Sequence, residues 1–113
     1  MLISKDFTFD SAHFLTDYHG KCERMHGHTY KLRVTVEGEV QANGLVMDFV
    51  DLKRIVMERV IDKYDHQNLN DFFENPSAEN MVIKFWEDLA DLSGLYELVL
   101  WETADSFVTY RGE

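Results

Sequence analysis

The sequence predicts an α+β domain: a four-stranded antiparallel sheet with two helices on one face, in the order ββααββ. Three observations carry that expectation. Residues 29–37 alternate cleanly, with Tyr30, Leu32, Val34 and Val36 on one side and Thr29, Lys31, Arg33, Thr35 and Glu37 on the other, the pattern of a half-buried strand. From Asp48 the apolar spacing lengthens to a helical one, and near the end "YELVLWET" and "SFVTYRG" return to a period of two. With 113 residues, 45% of them hydrophobic, the chain has material for one core, so a single domain over 1–113 is expected.

Taken in order, residues 2–9 alternate weakly, with Phe7 and Phe9 on one side, and read as the first strand. After the second strand, "EGEVQANG" supplies turn residues. Phe49, Leu52, Ile55, Val56 and Val60 then follow helical spacing, with Asp48 as N-cap and Asp51 in the first turn, and the helix fades near Tyr64. The polar stretch "DHQNLNDFFEN" leads to Asn75-Pro76, which fits an N-cap followed by proline at the first helical position. Val82, Phe85, Trp86 and Leu89 form the stripe of a second helix ending near Ser93-Gly94. In the third strand Tyr96, Leu98, Leu100 and Glu102 share a face; in the fourth, Phe107 and Thr109 oppose Val108 and Tyr110.

Charge narrows the function. Eleven basic against 21 acidic residues give a formal charge of −10, which argues against binding nucleic acid or an anionic membrane through charge. The single cysteine cannot form an internal disulfide and points to a reducing compartment. "MLISKDFTFD" lacks the apolar core of a signal peptide, and no run is long enough to span a membrane, so a cytoplasmic protein is expected. There is no G-x-G-x-x-G, P-loop or nucleophile elbow, leaving metal-assisted proton movement as the chemistry to look for.

The candidates for that chemistry are few. His26 and His28 are two apart at the start of a strand and therefore face the same way. If the first two strands pair antiparallel, His13 arrives beside them, and three neutral imidazoles can hold Zn²⁺ with a fourth position open. The alternative is three polar histidines with no shared task. Cys22 lies in the loop "GKCER", where Lys21 and Arg24 favour thiolate. It reads as a reactive group, as a fourth zinc ligand, or as a small buried hydrophobe. Asp65-His66 is either a carboxylate-oriented general base or an ordinary polar helix exit. Glu102 continues an apolar face, so it either points inward and needs donors, such as a ligand's paired N–H groups, or lies in solvent past the buried part of its strand.

His13 in "SAHF", "CERMHGH", "DH..LN" at 65–70, "NPSAEN" at 75–80 and "WET" at 101–103 together resemble the 6-pyruvoyl-tetrahydropterin synthase superfamily, in order and over nearly the whole chain. The three residues between Cys22 and the H-G-H, and the closing "YRGE", are similar to its bacterial queuosine-pathway branch, the 6-carboxy-tetrahydropterin synthases; biopterin-type members place five residues there. The resemblance implies Zn²⁺ on His13, His26 and His28, Cys22 as proton acceptor, and Asp65 with His66 as relay pair. It also implies that Glu102, helped by Thr103, anchors a pterin ring, with Ser77 contributing a hydroxyl where the family often has threonine. The implied fold is the tunnelling fold, assembled as a homohexamer of two stacked trimers. The implied reaction converts 7,8-dihydroneopterin triphosphate to 6-carboxy-5,6,7,8-tetrahydropterin, with a pyruvoyl-forming or aldolase-type sibling as a rival. A rival of another class is a non-catalytic zinc-binding module closed by Cys22.

Overall fold

The computed structural model describes residues 1–16 and 24–113. Four strands run antiparallel to their neighbours: β1 (Leu2–His13), β2 (His26–Glu37), β4 (Leu95–Thr103) and β5 (Ser106–Tyr110). A two-residue strand, β3 (Gln67–Asn68), adds parallel to β1, giving the order β3-β1-β2-β4-β5. The sheet thus has five strands, not four. The short strand escapes the sequence pattern because two residues cannot display alternation.

β1 and β2 pair along their whole length, and Phe7 and Phe9 meet Leu32 and Tyr30 across the ladder. These side chains, with Val34, Leu98 and Leu100, are buried against the helices. β1 runs to His13 rather than ending near Phe9, because Ser11 and His13 carry the inward face onward with polar groups.

α1 (Phe49–Val56) starts where Asp48 accepts a hydrogen bond from the Val50 N–H at 2.8 Å, as its sequence suggests. It continues through a π-helical turn (Met57–Ile61) into α2 (Asp62–Tyr64). Leu52, Val56, Val60 and Tyr64 are all buried, each four residues after the last. In a helix of 3.6 residues per turn, a step of four drifts by about 40°, so such a row would wind off the sheet. The wider π turn takes up that drift and keeps the row facing the core.

α3 (Ala78–Asp88) buries Ala78, Met81, Val82 and Phe85. Its N-cap is Ser77, whose hydroxyl accepts from the Asn80 N–H at 3.1 Å, not Asn75. Asn75 instead accepts from the Thr16 N–H with its side chain and from the Asn80 amide with its carbonyl. Proline therefore precedes the cap and sets the approach of the chain. Among the described residues, no helix is long and apolar enough to cross a membrane.

Gly94 closes the return into β4. Its φ is +80° and its carbonyl accepts from the Glu37 N–H, so a Cβ there would sit 2.4 Å from the Glu37 carbonyl oxygen. Gly44 has a similar φ of +84° but open space around it. Gly44→Ala should therefore cost only the left-handed backbone penalty, about 1–2 kcal/mol. Gly94→Ala should add an overpacking cost of about 1–3 kcal/mol on top. Urea unfolding of the two variants checks this; equal losses would contradict the close approach at Gly94.

Candidate functional site

The antiparallel register sets His13 opposite His26 and Ser11 opposite His28. All three imidazoles lie on the inward face, in line with Phe9 and Tyr30. His13 is 1% exposed. Its Nδ1 is 2.9 Å from the Pro76 carbonyl oxygen, and the Tyr30 hydroxyl lies 3.2 Å from the same nitrogen. His26 Nδ1 is 2.9 Å from the Arg24 carbonyl oxygen. A carbonyl can only accept, so both Nδ1 atoms carry a proton, and in a neutral ring that leaves Nε2 with the lone pair.

Those two Nε2 atoms are 3.1 Å apart. Facing lone pairs repel at that distance unless a proton or a metal cation lies with them. Ring nitrogens fixed by main-chain carbonyls in this way are the usual support of metal-ligating histidines. Glu102 completes the group: Oε1 is 3.1 Å from His28 Nε2 and 3.6 Å from His13 Nε2. One ligand atom from each of His13, His26, His28 and Glu102 lies within 4.8 Å of all the others. Nitrogen and carboxylate donors converging from three strands suit a divalent transition metal, zinc among them.

Glu102 thus points inward, with its side chain 32% exposed, following Leu98 and Leu100 on β4. Thr103 is exposed and its hydroxyl donates to Asp105 at 3.1 Å. Ser77 is occupied as the α3 cap but keeps its own O–H to donate. Cys22 lies outside the described residues.

Asp65 and His66 do face each other, with Asp65 Oδ2 2.9 Å from His66 Nδ1. Tyr64 leads the chain to this position: its hydroxyl donates to Asp88 at 2.7 Å, and its carbonyl accepts from Ser11 Oγ of β1. His66 then adopts φ +57°, a left-handed conformation that costs a non-glycine residue about 1–2 kcal/mol. Main-chain bonds from β1 hold it there. The His66 N–H donates to the Asp10 carbonyl at 2.6 Å, and the Asp10 N–H donates to Asp65 Oδ1 at 2.9 Å. An open cleft of about 610 Å³ has His66 and His28 on its walls together with the outward-facing Asp10 and Thr29; His13, His26 and Glu102 do not line it. Sequence reasoning missed the supports, Pro76, Tyr30 and Asp10. Carbonyl acceptors have no residue signature, and Asp10 lies just past the strand that the sequence pattern places over residues 2–9.

The chain matches the family model described as 6-pyruvoyl tetrahydropterin synthase over residues 2–113. It is 44% identical over 91 residues to an Archaeoglobus fulgidus protein designated a 6-carboxy-5,6,7,8-tetrahydropterin synthase, covering 80% of this chain and 77% of that one. It is 42% identical over 103 residues to a 6-pyruvoyl tetrahydrobiopterin synthase of Dictyostelium discoideum, covering 84% and 76%. Among solved structures, Caenorhabditis elegans 6-pyruvoyl tetrahydropterin synthase aligns with a TM-score of 0.86 at 26% identity, over 100% of this chain and 96% of that one.

The Asp10 N–H bond, together with the neighbouring His66, holds the Asp65 carboxyl below the usual carboxylate range. A carboxyl whose folded value lies below its unfolded value stabilises the fold fully at neutral pH, and that contribution is lost as the pH falls through the lowered value. Asp65→Asn should therefore melt below the parent chain at neutral pH, with the gap closing in strong acid. A gap in melting temperature unchanged from about pH 7 to about pH 2 would contradict the assignment.

Proposed function

This chain belongs to the 6-pyruvoyl tetrahydropterin synthase family, and on that footing we propose that it is a zinc-dependent lyase converting 7,8-dihydroneopterin triphosphate to 6-carboxy-5,6,7,8-tetrahydropterin in queuosine (7-deazapurine) biosynthesis. One water is consumed, and acetaldehyde and triphosphate leave. The observation that carries the reading is the pair of imidazoles whose Nδ1 atoms are tied to carbonyls while their Nε2 atoms converge at 3.1 Å.

His13, His26 and His28 hold the zinc, which when bound polarises the substrate's side-chain hydroxyls as a Lewis acid. Cys22 takes a proton as thiolate. Asp65 accepts the Nδ1 proton of His66, which leaves Nε2 as the basic nitrogen that receives and returns a proton. Glu102 accepts the pterin's adjacent N–H groups, leaving its contact with the imidazoles to do so, and Thr103 and Ser77 offer hydroxyls beside it. No external redox cofactor enters, because the ring gains the hydrogens that the side chain loses.

Relatives at 44% and 42% identity are named for two different products, so overall similarity does not choose between them. The choice rests on the three residues between Cys22 and His26, a shorter reach than the five of biopterin-type members. A thiol displaced by about 1 Å can change a rate by about 10²-fold, enough to favour cleavage of a side-chain carbon–carbon bond over rearrangement. The assembly that goes with this reading is a homohexamer of stacked trimers, in which subunits pair the edges that β3 and β5 leave open.

Purified protein should carry about one zinc per chain. The double variant His26→Ala, His28→Ala should lose it; retained zinc would rule the site out. Cys22→Ala should keep the metal and lose turnover by about 10²–10⁴-fold, as expected for a positioned acid–base group. Loss of zinc in that variant would favour the structural-module reading instead. Incubation with 7,8-dihydroneopterin triphosphate should yield acetaldehyde and the carboxylated pterin by mass. A pyruvoyl product without acetaldehyde would overturn the product assignment and leave the family membership standing.

A further inference from the structure

We propose that Asp10, oriented by Thr29, is a positioning residue for the proton-relay histidine; this rests on the reading of His66 as that relay. Asp10 and Thr29 are direct partners across the β1–β2 ladder, on the exposed face of the sheet. The Thr29 hydroxyl donates to Asp10 Oδ1 at 2.5 Å, a short bond of the kind a carboxylate acceptor makes.

On the same face Asp6 pairs with Arg33 at 2.7 Å, an ordinary cross-strand ion pair. Asp10 is placed differently. Its carbonyl accepts from the His66 N–H, its N–H donates to Asp65, and its carboxylate oxygen lies with an Asp65 oxygen and a His66 ring nitrogen inside a 4.8 Å group. One residue therefore holds both members of the relay by its main chain and stands beside them with its side chain. Asp10, Thr29, His28 and His66 also line the same cleft.

The His66 side chain is 78% exposed, so packing does little to stop its ring turning. Asp65 anchors only Nδ1. A second carboxylate on the same side, itself held by Thr29, makes the alternative ring orientations unfavourable, because they would carry the Nδ1–H away from both anions. The Nδ1–H then stays on the side of the two carboxylates through a proton's arrival and return at Nε2. The network leaves zinc and pterin contacts untouched, so its loss should change turnover rather than substrate affinity.

The test uses zinc-loaded full-length chain and the variants Thr29→Val, Thr29→Ser and Asp10→Ala. Thr29→Val and Asp10→Ala should lower kcat by roughly ten- to hundredfold, with KM, zinc content and melting temperature close to the parent. Thr29→Ser, which keeps the hydroxyl, should restore kcat. A proton NMR signal from the His66 Nδ1–H should be sharp in the parent and broadened in Thr29→Val. Unchanged kcat in both damaging variants, failure of Thr29→Ser to rescue, or an unaltered ring N–H signal would each overturn the inference. A parent chain that never turns over the dihydroneopterin triphosphate sinks the proposed reaction, and the inference then stands or falls on the ring signal alone.

Discussion

Twelve consecutive residue pairs, from Leu2 with Glu37 to His13 with His26, join β1 to β2, and the rest of the molecule is arranged around that ladder. Side chains alternate along a strand, so a slip of one residue would send Phe7, Phe9, Tyr30 and Leu32 to the opposite face. The same slip would separate His13 from His26 and His28. Core and candidate metal centre thus share one register: the hydrophobic effect that selects the buried face also selects which nitrogens converge.

Along that register the inward face changes character. From Phe9 and Tyr30 it passes to Ser11, His13, His26 and His28, and on β4 from Leu100 to Glu102. Polar groups buried at the end of a core need partners, and here main-chain carbonyls supply several of them: Pro76 and Arg24 for two imidazoles, Tyr64 for Ser11. Those carbonyls belong to the approach to α3, the start of β2 and the end of α2. Distant parts of the chain therefore tie the ring tautomers to the fold, and a shift in the Pro76 segment would be felt at His13 before it was felt in the core.

The helix between β2 and β3 serves the same end. Its π turn keeps Leu52, Val56, Val60 and Tyr64 in one row, so the helix reaches the sheet with Tyr64 bonded to Asp88 and to Ser11. Only with that end fixed can Asp65 and His66 meet Asp10. The left-handed His66 is strain held by main-chain bonds to β1, the kind of over-determined conformation found where a side chain must be aimed.

Much of this was legible in residues. The alternation from Tyr30 to Val36 and the Asp48 cap follow from local period, and the meeting of His13 with His26 and His28 from the pairing that two adjacent strands adopt; the inward turn of Glu102 was one of two positions that period allowed. Family resemblance implied roles on which period is silent. Other features were not legible. β3 is too short for a pattern, the α3 cap fell to Ser77 because Asn75 was drawn to Thr16 and Asn80, and Asp10 lies just past the strand legible over residues 2–9. Each was decided by a partner more than 15 residues away or by a backbone carbonyl common to every residue type. Sequence period records which side chains avoid water, and it therefore determined the four longer strands, the two main helical segments and the face on which the histidines lie. Hydrogen bonds between remote segments leave no such trace, so only the tertiary structure decided which nitrogens of His13 and His26 meet a carbonyl and which main-chain groups of Asp10 meet Asp65 and His66.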